Sequence, residues 1–205
     1  MTPNIDTIMG LAPVIPVLVI EEFAHAVPIA QALVAGGLPV LEVTLRTPCA
    51  LDAIKAMKAV PGAVVGAGTV LNPRDLDAAL AAGSEFIVSP GLTPALGKAA
   101  VESGVPFLPG TANAGDIMLG MDMGLTRFKF FPAEANGSIP ALKAITSAFG
   151  GLKFCPTGGI TLATAPNWLT LDAVRCVGGS WVVPKGAPDP AAIEAAAKAA
   201  AALPR

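Results

Sequence analysis

A lysine lies in the middle of an aromatic run that otherwise has the pattern of a buried strand. In the segment 127–131, alternation places Arg127, Lys129 and Phe131 on one face and two phenylalanines on the other. Lysine is rarely buried unless it is paired or has a function. Because burial disfavours the charged form of an amine, such a lysine can act as a nucleophile that forms a Schiff base with a carbonyl compound. The alternative is an edge strand from which Lys129 reaches solvent.

A second segment carries a carboxylate and a guanidinium on one face of a predicted strand. Between residues 40 and 46, alternation separates Glu42, Thr44 and Arg46 from the leucine and valine side chains. If the apolar face packs under helices, the charged face points inward, where charges are costly unless they are paired or bind a ligand. Glu42 and Lys129 would then form a base and a nucleophile in one interior. The alternative is a structural Glu42–Arg46 ion pair.

Two glycine pairs have the pattern of an anion-binding site. Gly158 and Gly159 follow one predicted strand, and Gly178 and Gly179, with Ser180 after them, follow the next. Each pair exposes backbone N–H groups just before a predicted helix, an arrangement that binds anions. In barrel enzymes the loops after the seventh and eighth strands often form a phosphate site. The pairs therefore predict a phosphate site, and the alternative is two tight turns without a ligand.

Three other predicted strands end in turn-forming residues. The third ends in Gly66–Thr69, where the glycines allow close backbone approach and Thr69 offers a hydroxyl group. The fourth and fifth end in Ser89–Gly91 and Pro109–Thr111. These residues indicate first of all where the strands terminate.

The elements that would position these residues follow from an alternation of short β-branched runs with alanine-rich stretches. The predicted strands are 14–19, 40–45, 64–69, 86–89, 107–110, 127–131, 153–157 and 174–178. The predicted helices are 26–35, 49–60, 73–82, 93–102, 114–123, 138–149 and a last one from about 190 to 202. Eight strand–helix units predict a (β/α)8 TIM barrel.

A doubly wound sheet is the alternative architecture, because it has the same local alternation. The barrel is favoured because no GxGxxG opens the first unit and polar residues recur at strand ends. We predict one domain over residues 1–205, with an N-terminal helical segment (1–12) and a C-terminal helix (189–205). Within the first segment, residues 3–10 are expected to form a short helix that closes the bottom of the barrel.

Composition excludes several classes of protein. The 205 residues are 53% hydrophobic and 14% charged, which excludes a disordered chain. The net charge of −2 gives no indication of a basic surface that would bind nucleic acid. Cys49, Cys155 and Cys176 form no CxxC pair and fit reduced cysteines of a cytoplasmic protein. The single histidine, His25, is interpreted as structural, and neither a multi-histidine metal site, a secretory signal nor a membrane span is expected.

Six motifs together resemble one family, over roughly residues 13–184. The sequence is similar to the bacterial 2-keto-3-deoxy-6-phosphogluconate (KDPG) and 4-hydroxy-2-oxoglutarate (KHG) aldolases, which are class I, Schiff-base aldolases; the KDPG enzymes belong to the Entner–Doudoroff pathway. The motifs are Leu41-Glu42-Val43-Thr44-Leu45-Arg46-Thr47, Val65-Gly66-Ala67-Gly68-Thr69-Val70, Ser89-Pro90-Gly91, Phe128-Lys129-Phe130-Phe131-Pro132-Ala133-Glu134, Cys155-Pro156-Thr157-Gly158-Gly159-Ile160 and Gly178-Gly179-Ser180-Trp181.

The resemblance implies a role for each matched residue. Lys129 would be the Schiff-base lysine and Glu42 the general acid/base, while Arg46 and Thr69 would hold the carboxylate of the keto acid. The phosphate group would be bound by Gly158, Gly159, Gly179 and Ser180, and the remaining pocket residues would be Pro90, Phe131 and Thr157. No metal and no cofactor are implied, since the iminium itself withdraws electrons. The family also implies a homotrimer.

The substrate implied by the resemblance is the phosphorylated gluconate derivative. Retention of Leu45-Arg46-Thr47 favours the gluconate epimer over the galactonate analogue that sister aldolases cleave. An aldolase that acts mainly on KHG is a close alternative. A barrel isomerase or decarboxylase without a covalent step, and a sugar-phosphate binding protein with Glu42–Lys129 as a structural pair, are the more distant ones.

Overall fold

The structure, a computed structural model, describes residues 4–204. Parallel strands and helices alternate along these residues. The strands there are β1 Val14–Leu18, β2 Val40–Thr44, β3 Val64–Gly68, β4 Ile87–Val88, β5 in two pieces (Phe107–Leu108 and Gly110–Thr111), β6 Arg127–Phe130, β7 Lys153–Pro156 and β8 Val177–Gly179. The α-helices there are α1 Ile5–Gly10, α2 Ala26–Ala35, α3 Ala50–Met57, α4 Pro73–Ala81, α5 Pro94–Ser103, α6 Ala114–Asp122, α7 Ser138–Thr146, α8 Ala165–Leu169 and α9 Pro190–Ala201.

The strands close into a barrel. Parallel pairing runs in chain order from β1 to β5, and the second piece of β5 pairs with β6, which in turn pairs with β7. β8 pairs with β1. The bridges Phe154↔Val174 and Thr157↔Gly178 join β7 to the segment that carries β8. The prediction of a (β/α)8 barrel is therefore confirmed, and a doubly wound sheet, which stays open, does not describe this chain.

Most predicted elements differ from the observed ones by one or two residues at their ends. One helix, α8, was not predicted: it has only five residues and begins Ala165-Pro166. The predicted last strand starts three residues before β8, because Val174 forms a single bridge and not a continuous ladder. Three helices begin with a capping side chain, since Asn72, Thr93 and Asn113 each accept a hydrogen bond from the first turn of their helix.

Two apolar layers stabilise the barrel, one between strands and helices and one inside the ring of strands. The inner layer consists of Ile8, Met9, Ile15, Val40, Phe86, Val88, Leu108, Cys155 and Cys176. Ile8 and Met9 belong to α1 and have no solvent exposure. Helix α1 therefore packs against the inner layer at one end of the barrel. Residues 1–3, which were included in the predicted segment, lie outside the described residues.

The same end carries the first residue of the aromatic run. The Arg127 guanidinium donates a hydrogen bond to the Asp6 carboxylate of α1. Arg127 and Lys129 therefore share the inner face of β6, with Arg127 at the closed end and Lys129 nearer the open end.

The alanine-rich C-terminal helix packs against α2. Ile193, Ala197 and Ala200 on α9 are buried. A Cβ atom at Gly36 would lie 2.4 Å from the Cβ of Ala197, so glycine permits this close approach. Alanine provides the small surface that such a contact needs. Among residues 4–204 no helix is both long and apolar enough to span a membrane.

Candidate active site

The Lys129 amine and the Glu42 carboxylate meet inside the barrel. Lys129 Nζ donates a hydrogen bond to Glu42 Oε1 over 3.2 Å, and the two residues are only 5% and 3% exposed. Lys129 is therefore not on an edge strand that reaches solvent. Glu42 pairs with Lys129 across the barrel interior, and not with Arg46. The prediction that alternation brings these two groups together is confirmed geometrically.

Glycine on the neighbouring strand makes room for the Glu42 side chain. A Cβ atom at Gly68 would lie 2.3 Å from Glu42 Oε1, and one at Gly66 would lie 2.5 Å from the ring of Phe86. These distances are far inside van der Waals contact. The glycines of β3 therefore serve side-chain packing inside the barrel, whereas the sequence suggested only backbone approach and strand termination.

Arg46 and Thr69 stand at the open end, after β2 and β3. Both line the central cavity. Thr69 has a φ of 59°, a left-handed conformation that is costly for a β-branched residue and that is often found at functional sites. The loop after β2 is held in place because Thr47 Oγ1 and Cys49 Sγ both donate to the carbonyl oxygen of Ile20, at 2.6 and 3.1 Å.

The central cavity has a volume of about 530 Å³ and opens at the carboxyl ends of the strands. This is the end of a barrel at which active sites lie. The predicted site residues that line it are Arg46, Thr69, Pro90, Lys129, Phe131, Thr157, Gly158, Gly159 and Ser180. Lys129 Nζ lies 5.2 Å from the centroid of the Phe131 ring, so an aromatic wall flanks the amine. Glu42 lies beside Lys129 but is not itself part of the cavity wall.

Gly158 and Gly159 form a turn that only glycine adopts easily. Their φ values are 105° and 80°, which turn the backbone after β7 over the cavity. Two hydrogen bonds fix this turn against the segment after β6: Ala133 N donates to Thr157 O over 2.8 Å, and Glu134 N donates to Gly158 O over 3.0 Å. The turn is therefore held rigidly where the sequence predicted an anion site.

The second glycine pair has a different construction. Gly178 lines the cavity, and a Cβ there would lie 2.2 Å from Thr157 Oγ1. Gly179 is buried and lies outside the cavity wall, and a Cβ there would lie 2.1 Å from the Trp181 ring. Gly179 thus leaves space for Trp181, and its part in phosphate binding stays a prediction. Ser180 is exposed on the wall.

Several residues of the cavity wall were not predicted as site residues from the sequence. The apolar ones include Val17, Ile20, Ile29 and Val183, and the polar ones are Glu21, His25 and Lys185. The sequence suggested a structural role for His25, yet it lines the cavity and its Nε2 lies 3.7 Å from Glu22 Oε2. The position of the three polar residues in the sequence could have indicated them, because each follows a strand in a loop at the end of the barrel where active sites form.

Trp168 and Glu134 support the structure next to the glycine turn. Trp168 is fully buried and donates from Nε1 to Glu134 Oε1 over 2.9 Å. Glu134 also accepts a hydrogen bond from Ser138 Oγ over 2.7 Å, near the start of α7. Within residues 4–204 no group of three or more histidine, cysteine or acidic side chains could hold a metal ion.

These features define a class of protein. The chain is a parallel α/β barrel that holds a buried amine beside a carboxylate, a guanidinium at the rim and a glycine turn suited to an anion. Such a constellation is typical of barrel enzymes that act on phosphorylated carbonyl compounds.

Comparison with known proteins specifies the family. A family model described as KDPG and KHG aldolase matches residues 5–196. The 2-dehydro-3-deoxy-phosphogluconate aldolase of Zymomonas mobilis is 65% identical over 202 residues, which are 98% of this chain and 97% of that protein. The chain belongs to the KDPG and KHG aldolase family.

Solved structures agree with this assignment. The crystal structure of the KDPG aldolase of Z. mobilis ZM4 with 3-phosphoglycerate has a TM-score of 0.98 at 64% identity, and the match covers 100% of this chain and 98% of that one. The KDPG aldolase of Legionella pneumophila, with pyruvate captured at low pH as a covalent carbinolamine intermediate, has a TM-score of 0.95 at 44% identity, over 98% and 100% of the two chains.

Proposed function

We propose that this protein is a class I aldolase that cleaves 2-dehydro-3-deoxy-6-phosphogluconate into pyruvate and D-glyceraldehyde 3-phosphate. The observation that carries the proposal is the buried contact of 3.2 Å between Lys129 Nζ and Glu42 Oε1 at the base of the cavity. The pair supplies a nucleophile and a proton acceptor at one place. Its relatives in the family, named for the same reaction, add support.

Lys129 is the nucleophile of this scheme. Proton transfer to Glu42 leaves a free amine, which attacks the C2 ketone and forms a carbinolamine. Glu42 returns this proton to the departing hydroxyl group, so that loss of water gives an iminium, which withdraws electrons from the C3–C4 bond, and leaves Glu42 as a carboxylate. The relative from L. pneumophila, with pyruvate captured as a covalent carbinolamine, supports this step.

Glu42 transfers the protons of the following steps. It accepts the proton of the C4 hydroxyl, directly or through a water molecule, as the C3–C4 bond breaks. The electron pair of that bond forms an enamine, and C4 leaves as the aldehyde of glyceraldehyde 3-phosphate. Glu42 then returns a proton to C3, and hydrolysis of the iminium releases pyruvate and restores the amine. Acid–base assistance of this kind contributes about 10²- to 10⁴-fold.

The binding residues are assigned by their position on the rim. Arg46 suits the carboxylate of the keto acid because its planar fork binds carboxylates through two parallel hydrogen bonds. Thr69 follows the neighbouring strand β3 and lines the same cavity, so its hydroxyl is assigned to the same carboxylate. Gly158, Gly159 and Ser180 are assigned to the phosphate group, because the positive φ values of the glycines turn backbone over the cavity.

KHG is a second candidate substrate. It has the same groups at C2 to C4, where all the chemistry takes place, and the family includes KHG aldolases. Its distal end is a carboxylate in place of the phosphate arm. Pyruvate release from both substrates, compared as kcat/KM, tests the assignment: a higher value for the phosphorylated substrate supports our proposal, and a higher value for KHG contradicts it.

The homotrimer implied by the family resemblance is also a proposal. Three chains of 20.5 kDa give a particle of 61.5 kDa. Light scattering after size-exclusion chromatography would measure this mass directly, and a mass of 20.5 kDa would contradict the trimer.

A further inference from the structure

The segment after β8 brings a lysine to the rim of the cavity. Residues 183–186 line the cavity wall, and Val182, just before them, is buried. Gly186 has a φ of 96°, which turns the chain there toward α9. Lys185 is exposed within this segment. The segment is therefore anchored at Val182 and places the exposed Lys185 on the cavity wall.

Lys185 is a cation without a carboxylate partner in the part of the chain that the structure describes. None of the ion pairs among residues 4–204 includes Lys185 or Arg46, whereas Lys129 is paired with Glu42. Arg46 and Lys185 are thus the two wall cations whose charge is free to bind an anionic ligand. The proposed substrate has two anionic ends.

The barrel topology places the two cations after different strands, with β1 between them. Arg46 follows β2, whereas Lys185 follows β8. β8 adjoins β7, and the Gly158–Gly159 turn follows β7. β2 is three strands from β7 in the closed order. Lys185 therefore follows the strand next to the one that carries the glycine turn, where the phosphate group is assigned, and it lines the same cavity wall.

Carboxylates near the Gly158–Gly159 turn disfavour a bound phosphate group unless a cation lies close by. A Cβ at Gly159 would lie 2.8 Å from Cβ and Cγ of Glu134, so that side chain packs directly against the turn. Its carboxylate accepts hydrogen bonds from Trp168 and Ser138 and so stays beside the turn. Glu21 also lines the cavity. A phosphate of about −1.5 to −2 charge would be repelled by these carboxylates unless a cation offsets them.

We propose that Lys185 binds the phosphate group of the substrate and favours phosphorylated substrates over those with an uncharged distal end. The inference rests on the proposed function. An ammonium on a flexible stem binds phosphate as a point charge. The interaction adds to the backbone donors of the glycine turn and sets the preference for the length and charge of the distal arm.

The test compares kcat/KM for the phosphorylated keto acid with kcat/KM for its unphosphorylated analogue. We expect Lys185→Met to lower the ratio of the two values about fivefold, as for one exposed charge pair, through a higher KM for the phosphorylated substrate. Lys185→Arg should restore most of the ratio. The control is Lys143→Met, which removes an exposed lysine of α7 outside the cavity wall and should leave the ratio unchanged.

An unchanged ratio in Lys185→Met, or a ratio that falls equally in Lys143→Met, would overturn the inference. Borohydride trapping of pyruvate on Lys129 in the wild type and in Lys185→Met distinguishes this failure from failure of the aldolase proposal. An adduct together with an unchanged ratio would refute the role of Lys185 alone. The absence of an adduct in the wild type would refute both.

Discussion

The absence of a side chain at Gly68 leaves the space that the Glu42 carboxylate occupies. A Cβ atom at Gly68 would lie 2.3 Å from Glu42 Oε1, the same oxygen that accepts the hydrogen bond from Lys129. Glu42 is 3% exposed, so a methyl group at Gly68 would displace its carboxylate from that contact. A glycine outside the cavity wall therefore determines where the proton-transfer group stands.

We predict that Gly68→Ala lowers kcat by about 10²-fold, because a displacement of about 1 Å at a reacting group can cost that much. Pyruvate release measures kcat, and circular dichroism checks that the variant is folded. The matched control is Gly150→Ala, since a Cβ there meets nothing within 4 Å. A wild-type kcat in Gly68→Ala would show that the position of Glu42 does not limit the reaction.

A second prediction concerns the stability of the buried pair. Lys129→Met leaves the Glu42 carboxylate buried without its partner, so we expect the free energy of unfolding to fall by about 3–5 kcal/mol. The double variant Lys129→Met/Glu42→Gln also removes the carboxylate charge, so it should recover most of the lost free energy of unfolding. Both variants should lack aldol cleavage. Urea unfolding measures the stability.

The exposed pair of Lys55 and Asp52 provides the control for that experiment. Their side chains are 58% and 67% exposed at a distance of 3.2 Å, so Lys55→Met should change stability little. If Lys129→Met were as stable as the wild type, the Lys129–Glu42 contact would not be an ion pair that matters for folding. Aldol cleavage in Lys129→Met would contradict the covalent mechanism itself.

A third prediction separates proton transfer from binding. Glu42→Gln keeps the size of the side chain but removes the base, so we expect kcat to fall by about 10²- to 10⁴-fold with KM nearly unchanged. Steady-state kinetics on the phosphorylated substrate measure both constants. A wild-type kcat with a raised KM would instead make Glu42 a binding residue.

The barrel and the central pair were predictable from the sequence because both depend on short-range periodicity. Alternation along β2 and β6 fixes which side chains share a face, so Glu42 and Lys129 could be assigned to one interior. The positive φ values of Gly158 and Gly159 likewise agree with a turn that a glycine pair favours.

Other features depend on contacts between strands that no local pattern encodes. The space that Gly68 leaves for Glu42, and that Gly179 leaves for Trp181, follows from strand register and side-chain direction. His25 was given a structural role because a lone histidine on a helix has no distinguishing neighbours in sequence. Its position on the cavity wall is determined by how the segment after β1 folds over the opening.

The most direct test of the aldolase proposal is borohydride reduction in the presence of pyruvate, followed by mass spectrometry of the peptides. We predict a reduced pyruvyl adduct on Lys129, and no adduct at that position in Lys129→Met. An adduct on another lysine would keep the Schiff-base class but move the nucleophile. A folded protein that binds pyruvate and forms no adduct would contradict the covalent mechanism and favour a barrel enzyme that acts without one.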